Sequence, residues 1–158
     1  MALTLGKSAP DFIFESNGES EISLNDYKGK WVILYFYPKD NTSGCTKEAC
    51  EFRDNMERIS AYDAVVLGVS PDNTASHDKF KAKHNLNFTL IADPEKEICN
   101  LYNVMGEKSM YGRKYVGVIR STFIINPEGI IVKIFSKVKV NGHVDEVIKL
   151  LQEFRGSH

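Results

Sequence analysis

Seven consecutive apolar or aromatic residues, Trp31-Val-Ile-Leu-Tyr-Phe-Tyr37, lead into Pro38 in the stretch KWVILYFYP. A run with no polar alternation is satisfied only where both of its faces are covered, so it predicts a β-strand buried on both sides. It is far too short to cross a bilayer as a helix. Pro38 lacks the N–H that a ladder needs and stops the strand. Other elements must pack on each face of such a strand, which limits the chain to layered α/β architectures.

The rest of the sequence supplies those layers. AVVLGVS (64–70) reads as a second buried strand, followed by a polar helix around 73–84. FTLIAD (88–93) reads as a short strand, and PEKEICNLYNV as the start of a helix with Pro94 near its first turn. DFIFES and SEISL flank Asn17-Gly18, a dipeptide suited to a tight turn, and predict an N-terminal β-hairpin. VIRSTFII and GIIVKIF flank Asn126-Pro127-Glu128-Gly129, a second turn signal. In HVDEVIKLLQEF, Val144, Val147, Ile148, Leu151 and Phe154 form a helical stripe. This order predicts an α/β protein with a central mixed β-sheet flanked by helices. A thioredoxin-like arrangement fits it, among other α/β folds. With no repeat, low-complexity tract or linker, residues 1–155 are expected to form one domain, and Gly156–His158 are set aside as a cloning remnant.

Charge narrows the function classes. A formal net charge of −1 gives no electrostatic case for nucleic acid or anionic lipid. MALTLGKSAPDF lacks the apolar segment and cleavage site of a secretory signal. Three cysteines are few and odd for a secreted disulfide scaffold. The expectation is a cytoplasmic protein with reduced thiols. There a close cysteine pair is more often catalytic or metal-binding than structural.

That pair lies in YPKDNTSGCTKEACEF (37–52), just beyond the buried run. Cys45, Ala49, Phe52, Met56 and Ile59 recur at helical spacing and share one face. With Thr42 as N-cap, its side-chain oxygen accepting from the backbone N–H of residue 45, Cys45 falls in the first helical turn. Unpaired N–H groups and the positive dipole end favour an anion there, and the thiolate is the nucleophilic form of cysteine. From spacing alone, Cys45 reads equally well as a small buried apolar residue. Cys50 adds a constraint. Positions five apart on an ideal α-helix stand about 8.7 Å apart at Cα and point about 140° apart. A disulfide needs Cα atoms within about 7 Å. The pair is therefore a poor static staple, and it suits a switch that unwinds the helix when oxidised. Zinc is disfavoured: Cys99 sits alone, and His77, His84 and His143 are scattered and read as surface or capping residues.

Pro38-Lys-Asp-Asn-Thr42-Ser-Gly-Cys45 matches the active-site pattern Pro-x-x-x-Thr-x-x-Cys of the peroxiredoxins. With Cys50 added, the chain resembles the bacterioferritin comigratory protein, or Q-type, subfamily. GKSAPDF, GVSPDNTASHDKF and GEKSMYGRKYVGVIRSTFIINPEG extend the resemblance along nearly the whole chain. It implies a thioredoxin-like fold and a thiol peroxidase with no metal or other cofactor. Cys45 would be the peroxidatic cysteine, attacking a hydroperoxide to become a sulfenic acid. Cys50 would be the resolving cysteine, and thioredoxin or a similar dithiol would reduce their intramolecular disulfide. Thr42 would hydrogen-bond thiolate and peroxide, and Pro38 would shield the pocket from water. Arg120 would stabilise the thiolate and the departing oxygen, with Glu48 orienting it. Taken alone, Arg120 reads as a surface arginine no better placed than Arg53 or Arg113, Glu48 as a solubilising charge and Thr42 as a cap. Cys99, beside Ile98, Leu101 and Tyr102, reads as a core thiol, or else as an alternative resolving partner. Met105 stands before Gly106 where the family often carries Trp, a difference expected to reshape the neighbouring surface.

The expected protein is thus a thioredoxin-dependent peroxidase of hydrogen peroxide and organic hydroperoxides, monomeric, with no nucleic-acid or membrane partner. The rival reading is a redox-sensing interaction protein that uses the same disulfide switch. Turnover of many peroxide equivalents separates the two.

Overall fold

The computed structural model describes residues 5–16 and 20–156. The chain opens with β1 (Ile13–Ser16) and β2 (Ser20–Ser23), a 3-10 turn at Leu24–Tyr27, and β3 (Trp31–Phe36). Next come α1 (Ser43–Asp54), α2 (Met56–Ser60), β4 (Ala64–Ser70), α3 (Thr74–His84) and β5 (Thr89–Ala92). The order closes with α4 (Glu97–Leu101), β6 (Met105–Met110), β7 (Arg113–Val118), β8 (Ser121–Ile125), β9 (Ile131–Ser136) and α5 (His143–Gly156).

Five strands form one mixed sheet in the order β5-β4-β3-β8-β9. β3, the predicted doubly buried strand, lies at its centre, parallel to β4 and antiparallel to β8. Its side chains alternate between two cores. Trp31, Ile33 and Tyr35 point to the face covered by α1, α2, α3 and α5. Val32, Leu34 and Phe36 point to the face covered by Phe12, Phe14, Leu24 and α4. All six are at most 7% exposed, and each such buried large apolar side chain contributes about 1.5–3 kcal/mol. This is why the run needs helices on both sides. The fold is the thioredoxin-like one expected, with the N-terminal hairpin present as β1 paired to β2. The Asn17-Gly18 turn itself lies outside the described residues, as do Ser157 and His158 of the terminal tripeptide.

Several local expectations need correction. The apolar face from Cys45 to Ile59 is as read, but Asn55 divides it between α1 and α2. The helix after β5 begins only at Glu97, with Pro94 in the turn before it. Both carboxylate oxygens of Asp93 accept backbone N–H groups, from Ile98 at 3.1 Å and Cys99 at 2.8 Å, so Asp93 fixes the start. His77 and His143 are core residues rather than surface ones, at 3% and 5% exposure. The β6–β7 hairpin was not anticipated. Its turn, Tyr111-Gly112, takes positive φ at both residues, as a tight hairpin requires. Among the described residues, no helix is long and apolar enough to cross a membrane.

Candidate active site

Cys45 is the third residue of α1 and is buried. It lies in the first turn, where N–H groups lack intrahelical acceptors and the helix dipole favours negative charge. Thr42 is the N-cap by its backbone but makes no side-chain cap. Its hydroxyl instead donates to the carbonyl of Lys39 at 2.9 Å, correcting the expected bond to residue 45. The loop folds back within reach of that hydroxyl, and a carbonyl is a better acceptor for its proton than none.

Arg120 reaches this thiol from the residue before β8. Its Nη2 donates to Cys45 Sγ at 3.2 Å, and its Nη1 donates to Glu48 Oε1 at 2.7 Å. The planar fork thus bridges two groups one helical turn apart, which a lysine cannot do. A Cβ on Gly44 would stand 3.3 Å from Nη2, so the missing side chain lets the guanidinium lie against the helix start. Burial opposes the charge on Arg120, but Glu48 and Cys45 outweigh it and hold its pKa above the usual value. Arg53 instead binds the His84 carbonyl and Asp54, and Arg113 is exposed on β7, so neither competes for the thiol.

Glu48 has no exposed surface, and its second oxygen, Oε2, has no hydrogen-bond partner among the described residues. Burial raises its pKa from 4.5 to about 7, with Arg120 pulling the other way. Because the folded value lies above the unfolded one, the folded state holds the extra proton between these limits. The associated stability is present below about pH 4.5 and is lost as pH rises to about 7. Glu48→Gln keeps an oxygen for Arg120 but cannot ionise. Denaturant unfolding at a series of pH values is expected to show a flatter stability profile over that window in the variant. An unchanged slope would assign it to another group.

Two further groups complete the surroundings. Tyr35 buries its hydroxyl without a partner among the described residues, and burial together with the charges of Glu48 and Cys45 pushes its pKa well up. His143 Nε2 lies 2.8 Å from Thr122 Oγ1, and burial, then Arg120, lowers its pKa to about 4. It is therefore neutral at neutral pH and serves the packing of Phe52 and Phe135, whose rings it meets edge-on.

A cavity of about 540 Å³ opens over Arg120. Pro38, Thr42 and Gly44 line it on the α1 side, and Met105, Lys108, Tyr115 and Val118 on the hairpin side. Pro38, Thr42 and Arg120 therefore share one cavity, and Cys45 and Glu48 are tied to it through Arg120. Met105 is among the residues that line this cavity. The hairpin residues were missed from sequence, and their usable signal was the Tyr111-Gly112 turn between two short runs.

The other cysteines are placed differently. Cys50 lies on the same uninterrupted helix as Cys45, half-buried, and both are free thiols. Cys99 packs in the core on the opposite face of the sheet from Cys45. Burial, then the hydrogen bond to Asp93, pushes its thiol pKa strongly up, so it stays protonated.

The sequence profile of the AhpC/TSA family matches residues 5–134. A putative peroxiredoxin bcp of Coxiella burnetii is 49% identical over 148 residues, 94% of this chain and 98% of the relative. Peroxiredoxin Bcp of Bacillus subtilis is 46% identical over 153 residues, 97% of this chain and 98% of that one. Among solved structures, a cysteine-to-serine mutant of Xylella fastidiosa PrxQ superposes with a TM-score of 0.92 at 36% identity, covering 98% and 99% of the two chains. The bacterioferritin comigratory protein of Xanthomonas campestris, described for its alkyl peroxide reduction activity, gives 0.85 at 38% identity over 90% and 91%.

Proposed function

Since the chain belongs to the AhpC/TSA family and is a thiol peroxidase of the Bcp/PrxQ peroxiredoxin kind, we propose that Cys45 is its peroxidatic cysteine and Cys50 its resolving one. The observation that carries this reading is the Arg120 fork, one arm 3.2 Å from a buried thiol and the other on a buried carboxylate. The Cys45 thiolate attacks the terminal oxygen of a hydroperoxide. The S–O bond forms as the O–O bond breaks, and the departing oxygen takes a proton to leave as water or an alcohol. Arg120 stabilises the thiolate and then the charge on that oxygen, a role suited to preorganised donors in a water-poor site. Thr42 has committed its proton to Lys39, so its oxygen accepts from the peroxide O–H. Pro38 keeps bulk water from the reacting atoms, and Glu48 holds the guanidinium in its plane. The alkyl peroxide activity of the Xanthomonas relative supports organic hydroperoxides alongside hydrogen peroxide.

The product at Cys45 is a sulfenic acid. Cys50 then attacks its sulfur, a disulfide forms and water departs. Both cysteines sit on one helix, where ideal geometry holds them about 8.7 Å apart, so the first turns of α1 unwind in this step. Thioredoxin or a similar dithiol restores both thiols by exchange. The protein works as a monomer in a reducing, cytoplasmic setting.

Peroxide consumption coupled to thioredoxin, its reductase and NADPH tests the scheme. The wild type is expected to turn over continuously and, when oxidised without reductant, to carry a Cys45–Cys50 bridge in a non-reducing peptide map. Cys50→Ser is expected to consume one equivalent and then stop under thioredoxin. Full thioredoxin-linked turnover in Cys50→Ser would reassign the resolving thiol.

A further inference from the structure

Asp40, between Pro38 and Thr42 in the loop from β3 to α1, is buried and engaged on every side. Its Oδ1 accepts from the Tyr37 hydroxyl at 2.6 Å, and its Oδ2 accepts from Ser76 Oγ at 2.8 Å and His77 Nδ1 at 2.7 Å. Its backbone N–H donates to Asp72 Oδ2 at 2.8 Å, and Ser70 Oγ donates to the same oxygen at 2.7 Å. His77 Nε2 lies 3.0 Å from the carbonyl of Ile91 in β5. A carbonyl only accepts, so Nε2 carries a proton. Burial opposes ionisation of Asp40, but the hydrogen bonds from His77 and Tyr37 outweigh it, and the carboxyl is held below its usual range. The contact between His77 Nδ1 and Asp40 Oδ2 is thus made by two side chains that are both buried from water. Asp40, Asp72 and His77 bring three potential ligand atoms within 4.8 Å of one another, but hydrogen bonds already occupy them. They form an anchor rather than a ligand set.

We propose that the Tyr37–Asp40–His77 network is a latch that fixes the loop bearing Pro38 and Thr42 against α3 and β5 while α1 unwinds beyond it. Asp40 and His77 are then positioning residues for attack on the peroxide. The inference rests on the peroxidase reading above. None of the latch contacts involves α1, so unwinding the helix breaks none of them. Asn41, next to Asp40, takes a positive φ of 62° and marks a change of direction between the anchored loop and the helix. Thr42 is tied back to Lys39, so it moves with the anchored side of the loop. The latch thereby keeps the peroxide pocket formed without resisting the step that joins Cys45 to Cys50.

The test measures the two steps separately. Sulfenic acid formation is followed by competition with a haem peroxidase for limiting hydrogen peroxide, and disulfide formation by quenched alkylation and mass analysis. His77→Leu is expected to slow the first step by between about tenfold and about a hundredfold, the range for a misplaced reacting geometry, and to leave the second unchanged. His77→Asn places an amide N–H where Nδ1–H stands and is expected to recover most of the loss. Ser76→Ala, which removes a single donor and keeps the His77–Asp40 contact, is expected to give a smaller deficit in the same step. It keeps the test decisive should His77→Leu fold poorly. Variants that match the wild type in the first step, or slow both steps equally, would overturn the latch and leave the peroxidase reading intact. A wild type whose Cys45 does not react with peroxide would instead overturn the peroxidase reading and the latch with it.

Discussion

Cys45→Ser is expected to bring hydroperoxide turnover down to background, a loss of roughly four orders of magnitude or more, as when a nucleophile that forms the covalent intermediate is removed. The hydroxyl that replaces the thiol is a far weaker nucleophile, and it cannot form the S–O bond. The loss is expected without unfolding. Serine is slightly smaller, and its oxygen can accept from Arg120 Nη2 in place of the sulfur that lies 3.2 Å away. A thioredoxin-coupled assay run beside a thermal melt separates the two effects. Retained turnover in a folded Cys45→Ser protein would remove Cys45 from the chemistry.

The second large effect belongs to Arg120. Arg120→Gln removes the charge that faces the thiol and the departing oxygen. It is expected to slow the reaction with peroxide by about a hundredfold to a thousandfold, the range for losing one preorganised donor. Stability should fall too, because Glu48 is left buried beside an uncharged partner. Its raised pKa limits the damage, since Glu48 can take up a proton instead. The double variant Arg120→Gln/Glu48→Gln is therefore expected to regain stability but not rate. Recovery of rate in the double variant would mean that Arg120 acts only by neutralising Glu48. Arg120→Lys should fall between, since one ammonium cannot bond Sγ and Oε1 in the plane that the fork spans.

What could be read from sequence followed from how local each signal was. The run Trp31–Tyr37 fixed a central strand because every residue in it needed cover. The stripes on α1 and α5 were legible for the same reason, since periodic burial leaves a periodic sequence. The β6–β7 hairpin left no such trace. Arg113 to Val116 are exposed, so no apolar alternation marks them as strand. In α3 only His77 and Phe80 are buried, and a histidine on a polar helix reads as solvent-facing.

The site was legible unevenly. Cys45, Glu48 and Cys50 share a helix, so their relation followed from helical geometry. Arg120 meets Glu48 across 72 positions, through the antiparallel pairing of β8 with β3. No spacing rule could prefer it to Arg53 or Arg113; the family pattern did. Asp40 and His77 lie 37 positions apart, and their pairing depends on how α3 packs against the loop that follows β3. It became visible only in the folded chain.

The most direct test of the central claim is to treat the Cys50→Ser protein with one equivalent of hydroperoxide in the presence of dimedone, which traps sulfenic acids, and to map the adduct by peptide mass analysis. With no resolving thiol, the sulfenic acid should persist long enough to be trapped. A single adduct on Cys45 is the expected result. An adduct on Cys99, or none on Cys45 while peroxide is still consumed, would contradict the assignment of Cys45 as the residue that reduces the peroxide.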